Sequence, residues 1–291
     1  MCRWLAYSGG PVLLEDLLYR PEHSLIVQSM HSTLGAEPTN GDGFGIGWYD
    51  NSEARVPGRY RSVSPAWSDP NLRDLAAHVE SPLFIAHIRA TTGTAVQQTN
   101  CHPFRHGNWL FAHNGVIAGF PRLRRDLLMG VEPSLFNGIT GSTDSEALFY
   151  LALTFGLEED PIGAMERAVG LVEAVGRSHG VEMPIQMTVG VSDGERLWAF
   201  RYSSEHRSRT LYVSADPETI QALHPDNPRF ARLTDEDRVV VSEPPSDLPG
   251  VWIEVPESTA LVIQPGADER LEFRPQAPAR SAGPQATPAT L

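Results

Sequence analysis

The chain opens with the segment CRWLAYS, residues 2–8, which places a cysteine directly in front of a predicted β-strand. Cells generally remove an initiator methionine when the second residue is small, and its removal here would leave the Cys2 thiol beside a free α-amine. An α-amine has a pKa of about 7.7–8.0 and can act as a general base near neutral pH. Nucleophile and base would then belong to one residue, as in N-terminal threonine hydrolases. The competing interpretation is a small buried hydrophobic residue, the usual role of a cysteine.

The composition excludes several classes of protein. All 23 basic residues among the 291 are arginine, and 36 acidic residues give a net charge of −13. An acidic chain without a basic run does not suit nucleic acid, and the absence of lysine excludes Schiff-base enzymes and lysine-dependent phosphate loops. We predict no cofactor. Two cysteines cannot form a disulfide framework. No apolar run is long enough to predict a membrane span, and no signal segment is recognised, so we expect a cytoplasmic protein.

The hydrophobic pattern predicts one α+β domain over residues 2–274. A turn at Gly9-Gly10 should lead into a helix over 12–20, and further helices should cover 143–155 and begin at 161. Short strands with few helices between them favour antiparallel sheets. The Pro- and Ala-rich segment 275–291 is predicted to be a disordered tail. Further strands are predicted at 44–49, 83–89, 109–113, 185–191, 196–202, 211–214, 238–242, 251–254, 260–263 and 271–273.

Three other positions allow both a structural and a functional interpretation. Asn114-Gly115 lies between apolar runs and is typical of a tight hairpin turn, although the Asn114 amide and the Gly115 N–H could instead donate to an oxyanion. The pattern alone favours the turn. Arg89 ends an apolar strand and either reaches solvent or binds a carboxylate through both guanidinium nitrogens. Asp144 lies in the first turn of a helix, where its negative charge either interacts favourably with the helix dipole or pairs with a substrate ammonium.

Other kinds of site are disfavoured. His102 and His106 have ligand-like spacing, but Pro103 interrupts the segment and the His–acid motif of zinc hydrolases is absent, so we predict no metal. A serine hydrolase would need a G-x-S-x-G motif, which does not occur. The alternating glycines of GDGFGIG, residues 41–47, instead leave one face of a strand open to another backbone or a ligand. The histidines considered for a metal cluster are His87, His102, His106 and His113.

Four motifs, in this order, resemble the glutaminase domain of class II glutamine amidotransferases, which are N-terminal nucleophile hydrolases. They are MCR (1–3), NGDGFG (40–45), the segment from His87 through Asn114-Gly115, and STDSE (142–146). The resemblance covers about the first half of the chain and is nearest to compact stand-alone members, including the γ-glutamyl hydrolase of ergothioneine biosynthesis. It implies a four-layer αββα sandwich.

The resemblance also implies roles for the matching residues. Cys2 would be the nucleophile with its α-amine as base, and Asn114 and Gly115 would form the oxyanion hole. Arg89 would hold the α-carboxylate of the substrate, and Asp144 would hold its α-ammonium.

The arginine motif departs from that of larger family members. It reads RATTG over residues 89–93, one residue shorter than the RWATHG motif of those members. Thr91 and Thr92 are expected on the substrate side of the site.

The implied substrate is a small molecule carrying a γ-glutamyl amide. Glutamine, hydrolysed to glutamate and ammonia through a thioester, is the default. The alternatives are a γ-glutamyl hydrolase that acts on a larger amide, such as an ergothioneine precursor, and a catalytically silent glutamine-binding or regulatory module. No synthase domain follows the glutaminase motifs, and the candidate protein partner is a separate synthase that receives the ammonia.

Overall fold

The strands of the computed structural model, which describes residues 2–30, 39–50, 56–91, 93–228 and 230–278, form two sheets. Every strand pair within these ranges is antiparallel, as predicted. The first sheet contains, in spatial order, β11 (Trp252–Glu254), β9 (Tyr212–Ser214), β10 (Arg238–Val241), β1 (Arg3–Leu13), β4 (Glu80–Ile88), β2 (Phe44–Tyr49) and β3 (Gly58–Ser62). The second contains β13 (Glu269–Glu272), β12 (Thr259–Ile263), β8 (Leu197–Ser203), β7 (Ile185–Ser192), β6 (Trp109–Ile117) and β5 (Phe104–His106).

Helices flank the two sheets, and none of those described is long and apolar enough to cross a membrane. The predicted cap Thr143 accepts from the Glu146 N–H at 3.1 Å, and Asp160 accepts from the Gly163 N–H at 3.0 Å. The Glu146 carboxylate does not complete the capping box but accepts from the Gly141 N–H at 2.6 Å. The α-helices are α1 (Leu14–Leu18), α2 (Leu25–Met30), α3 (Pro70–His78), α4 (Phe120–Leu128), α5 (Pro133–Phe136), α6 (Asp144–Thr154), α7 (Pro161–Ser178) and α8 (Pro217–Leu223).

Three apolar clusters define the order of the layers. One lies between the sheets and includes Trp4 and Ile85 of the first sheet and Ala112 of the second. A second cluster packs α1, α2 and α3 on the outer face of the first sheet. The third packs α4, α6 and α7 on the outer face of the second sheet. The layers therefore run helix, sheet, sheet, helix, which confirms the predicted αββα sandwich.

The glycines of β2 allow the two sheets to approach closely, as predicted from their alternation. A Cβ atom on Gly45 would lie 2.2 Å from the carbonyl oxygen of His102. A Cβ atom on Gly47 would lie 2.7 Å from the side chain of Leu110 in β6. Since real Cβ atoms do not come so close to a backbone oxygen, only glycine fits at position 45, whereas a side chain at position 47 would require Leu110 to move.

The predicted turn at Gly9-Gly10 is wrong, and the helix predicted over 12–20 is shorter than expected, covering Leu14–Leu18. β1 continues through the two glycines to Leu13, with an irregularity in its pairing with β4, and α1 follows. The Gly10 N–H donates to the carboxylate of Asp237 at 2.9 Å. This partner lies more than two hundred residues away, so local turn signals could not reveal it.

The beginning of the predicted tail packs against α7. The Gln276 N–H donates to the Glu166 carbonyl oxygen at 3.2 Å. Residues 279–291 of the segment lie outside the described residues.

Candidate active site

Cys2 directly precedes the central strand of the first sheet. β1 lies between β10 and β4, and its first residue, Arg3, pairs with Ile88 of β4. This register brings Cys2 against the residues that follow β4. The Cys2 thiol donates to the Ala90 carbonyl oxygen at 3.4 Å, and the Ala90 N–H approaches Sγ at 3.4 Å. Cys2 is half-buried, whereas Cys101 is fully buried.

The charges around the Cys2 sulfur set its reactivity. Burial raises the pKa of the Cys2 thiol above its usual value, while the Ala90 N–H and the positive charge of Arg89 lower it. The negative charge of Asp144 raises the same pKa, so both charged residues lie within electrostatic reach of the sulfur. A thiol with a raised pKa is protonated at neutral pH, and its attack on a carbonyl carbon therefore requires a base.

Arg89 follows β4 directly and supports the loop that comes after it. The guanidinium donates to Thr94 Oγ1 at 2.6 Å, to the Ala95 carbonyl oxygen at 3.1 Å and to the Asp42 carbonyl oxygen at 3.3 Å. Thr91 belongs to the same network, since its N–H donates to Asp42 Oδ2 at 2.8 Å and its hydroxyl accepts from Arg89 at 3.3 Å. The buried guanidinium is therefore held in one orientation beside Cys2.

Asp144 is the first residue of α6 and ties this helix to the second sheet. Its Oδ2 accepts from the N–H of Ile117, the last residue of β6, at 2.7 Å. Its Oδ1 accepts from the Ser145 N–H at 2.9 Å. Two backbone donors thus fix the orientation of the carboxylate.

Asn114 and Gly115 lie inside β6, so the hairpin turn predicted from their pattern is wrong. They pair with Thr188 and Met187, because β7 continues alongside the whole second half of β6. A Cβ atom on Gly115 would lie 2.0 Å from the Gln186 carbonyl oxygen, so close strand packing also requires glycine there. The Asn114 side chain is buried.

Trp4 connects the first sheet to the strand that pairs with β6. Its Nε1–H donates to Thr188 Oγ1 at 3.0 Å, and the Thr188 hydroxyl donates to the Asn114 carbonyl oxygen at 3.5 Å. The indole packs directly on Gly190, where a Cβ atom would lie 2.6 Å from the ring. This contact fixes the start of β1 relative to β6.

A cavity of about 200 Å³ opens beside Asn114. Arg3 donates to the Cys2 carbonyl oxygen at 3.1 Å and forms a buried ion pair with Glu243. Burial lowers the pKa of Arg209, and the nearby Cys2 opposes this effect. The sequence carries no motif for the cavity, because most of its residues lie in connections after β8 and β10. The lining residues are Arg3, Asn114, Ser208, Arg209, Thr210, Ser242 and Glu243.

Three of the histidines considered for a metal cluster are buried. The rings of His87 and His102 lie 4.1 Å apart, and His113 Nδ1 lies 2.8 Å from Ser145 Oγ. Burial lowers the pKa of His87 to about 3 and also lowers those of His102 and His113, so all three are neutral at pH 7. In the described part of the chain, no three His, Cys, Asp or Glu side chains are arranged to hold a metal ion.

Comparison with known proteins identifies the family. The family described as class II glutamine amidotransferases matches residues 22–284. The chain belongs to this family. The match confirms the predicted family and the prediction of an enzyme of the amidohydrolase type.

Three similar proteins illustrate the relationship. A probable glutamine amidotransferase of Saccharomyces cerevisiae is 33% identical over 91% of this chain and 82% of its own length. A γ-glutamyl-hercynylcysteine sulfoxide hydrolase of Mycolicibacterium smegmatis is 28% identical over 84% of this chain and 96% of its own. A solved structure of a glutamine aminotransferase class-II domain protein from Silicibacter pomeroyi is 36% identical with a TM-score of 0.70, and the match covers 94% of this chain and all of the other.

Neither the family match nor the described part of the structure includes every residue of the predicted site. The family match begins at residue 22 and so does not include Cys2. Arg89 and Asp144 both lie within electrostatic reach of the Cys2 sulfur. Thr92, which was expected on the substrate side, lies outside the described residues.

Proposed function

We propose that the protein hydrolyses the amide bond of γ-glutamyl compounds, of which glutamine is the simplest, through a thioester on Cys2. One observation carries the proposal: the partly buried Cys2 directly precedes the central strand, with a fixed arginine and a fixed carboxylate both within electrostatic reach of its sulfur. The glutamyl head carries one carboxylate and one ammonium, which need one cation and one anion. Arg89 and Asp144 supply these two charges.

The reaction proceeds in two steps. The α-amine of a mature chain that begins at Cys2 takes the thiol proton as Sγ attacks the γ-carbonyl carbon. The C–S bond forms, the C–N bond breaks, and the ammonium returns its proton to the leaving nitrogen. Water, deprotonated by the same amine, then attacks the thioester, so that glutamate is released and the thiol is restored.

Asn114 and Gly115 serve the transition states of both steps. The Asn114 side-chain amide and the Gly115 N–H donate to the oxyanion that develops on the γ-carbonyl oxygen. One such donor typically contributes about 2.7–4 kcal/mol to the stability of the transition state. Thr91, whose hydroxyl accepts from Arg89, is assigned to the substrate side of the site, and so is Thr92 from the motif alone.

A larger γ-glutamyl amide is the second candidate substrate. The cavity of about 200 Å³ beside Asn114 is far larger than the ammonia that glutamine releases. A relative named as a γ-glutamyl-hercynylcysteine sulfoxide hydrolase also aligns with 84% of this chain.

We expect the purified protein to release glutamate from γ-glutamyl compounds, with an equal amount of ammonia when the substrate is glutamine. Glutamate is measured by chromatography, and α-glutamyl isomers of the same peptides are the control, because their reacting carbonyl is also the group that Arg89 would bind. Equal release from α- and γ-isomers, or no release from any γ-glutamyl compound, would contradict the proposal. The second outcome is the one that a silent binding module would give.

A further inference from the structure

We propose that the cavity beside Asn114 holds the leaving group of the substrate and that Arg209 binds a carboxylate on it, which makes γ-glutamyl amino acids and peptides the preferred substrate class. This inference rests on the hydrolysis proposed above and adds the identity of the leaving group.

The lining of the cavity indicates that a leaving group would extend into it from Asn114. Asn114 is among its lining residues, whereas Arg89 and Asp144, which we assign to the glutamyl head, are not among the described residues that line it. A γ-glutamyl amide reacts between these two regions, since its γ-carbonyl lies between the glutamyl head and the leaving nitrogen. The leaving group then extends into the cavity.

The size of the cavity fits an amino acid or a short peptide. Its volume is about 200 Å³. A single water needs only about 10–15 Å³ measured in this way, so ammonia would leave almost the whole space to solvent. An amino acid that leaves through its α-amine fills much more of it.

The charge of the lining favours an anionic leaving group. The seven lining residues that the structure describes include two arginines and one glutamate, so their net charge is positive. Glu243 is ion-paired with Arg3, whose guanidinium also donates to the Cys2 carbonyl oxygen, so Arg3 is oriented towards the start of β1. Arg209 is the second arginine among the described lining residues, and an arginine can bind a carboxylate through two parallel hydrogen bonds.

The segment that carries Arg209 is held in place on both sides. Ser208 Oγ accepts from Arg201 Nε at 2.9 Å, and the Ser208 N–H donates to the Glu257 carboxylate at 3.0 Å. On the other side, the Thr210 hydroxyl donates to the Ser242 carbonyl oxygen at 2.9 Å. A side chain on a fixed backbone loses less entropy when it binds, which makes Arg209 suited to selecting a ligand.

The test compares γ-L-glutamyl-L-alanine with γ-L-glutamyl-L-alaninamide, which differ only in the terminal carboxylate. Alaninamide has the less basic amine and is the better leaving group, so intrinsic reactivity favours γ-L-glutamyl-L-alaninamide. Any preference for γ-L-glutamyl-L-alanine therefore comes from the protein. We expect kcat/KM to favour the acid by roughly 10- to 100-fold, the size of one hydrogen bond to a charged group. In Arg209→Gln the ratio should fall towards one, and Arg209→Lys should retain part of it.

Arg207→Gln is the matched control, because Arg207 is an exposed arginine on the same segment that does not line the cavity. This variant should keep the wild-type ratio. A wild-type ratio of the two kcat/KM values near one would overturn the inference, and this measurement does not depend on the folding of any variant. An unchanged ratio in a folded Arg209→Gln protein would overturn it as well. Turnover with an unselective ratio contradicts the leaving-group site alone, whereas no turnover of any γ-glutamyl compound contradicts the proposed hydrolysis as well.

Discussion

Cys2→Ala is expected to lower the turnover of γ-glutamyl substrates by about 10³-fold or more, the order of loss seen when a catalytic nucleophile is removed. Alanine is also small, so the initiator methionine should still be removed and the α-amine should remain. The substitution therefore removes the sulfur and leaves the base. The measurement is glutamate release at saturating substrate, with a thermal unfolding curve to verify the fold.

Cys101→Ala is the matched control for this prediction. Cys101 is fully buried, and its Sγ lies 3.4 Å from the Ser62 carbonyl oxygen. Gly43 packs closely against this sulfur, since a Cβ atom on Gly43 would lie 2.7 Å from it. Burial also raises the pKa of the Cys101 thiol. We expect this variant to lose some stability and to keep most of its activity. An inactive Cys101→Ala protein beside an active Cys2→Ala protein would identify the other sulfur as the nucleophile.

Arg89→Lys and Asp144→Asn are expected to weaken recognition of opposite ends of the glutamyl head. Asp144→Asn removes the anion that pairs with the substrate ammonium, a loss of about 2–5 kcal/mol, so its kcat/KM for glutamine should fall by roughly 30- to 4,000-fold. Arg89→Lys keeps the positive charge but loses a hydrogen bond to the substrate carboxylate, about 1.5–3 kcal/mol, so its kcat/KM should fall by roughly 10- to 150-fold. Lysine cannot reproduce the planar guanidinium of Arg89. Asparagine keeps an oxygen that can accept from the Ile117 N–H, so Asp144→Asn should preserve the fold.

Two analogues of glutamine separate these effects from a general loss of structure. 4-Aminobutanamide lacks the α-carboxylate, and glutaramate lacks the α-ammonium. Arg89→Lys should reduce the preference for glutamine over 4-aminobutanamide only, and Asp144→Asn should reduce the preference over glutaramate only. Each variant is thus the control for the other. Equal losses of preference against both analogues in both variants would contradict the assigned contacts.

The order of layers could be predicted because the sequence motifs resemble a family with that fold, and the local patterns predicted individual elements that agree with it. β2 was predicted with its observed bounds, and the cap residues Thr143 and Asp160 mark the starts of α6 and α7. Gly9-Gly10 was misread because its extended conformation depends on Asp237, a partner distant in sequence. Turn propensity is a local property, and tertiary hydrogen bonds override it.

The candidate site was predictable where its residues belong to motifs, and not elsewhere. Asn114-Gly115 shows the limit of local pattern, since only the pairing with β7 places it in a strand. Arg209 and Glu243 reach the cavity because β10 pairs with β1 and the chain crosses between the sheets after β8. Nothing in the local sequence of these two residues indicates that arrangement.

The central claim, a nucleophilic Cys2 with its own free α-amine, is tested most directly by mapping the adduct of 6-diazo-5-oxo-L-norleucine. This glutamine analogue alkylates a thiol with loss of nitrogen gas. Cleavage after glutamate separates the two cysteines into peptides 2–15 and 81–146, because Pro133 prevents cleavage after Glu132, and mass spectrometry distinguishes the two peptides. The predicted result is one adduct, on Cys2, in a peptide that begins at Cys2 with a free amine. An adduct on Cys101, or a fully active protein that retains Met1, would contradict it.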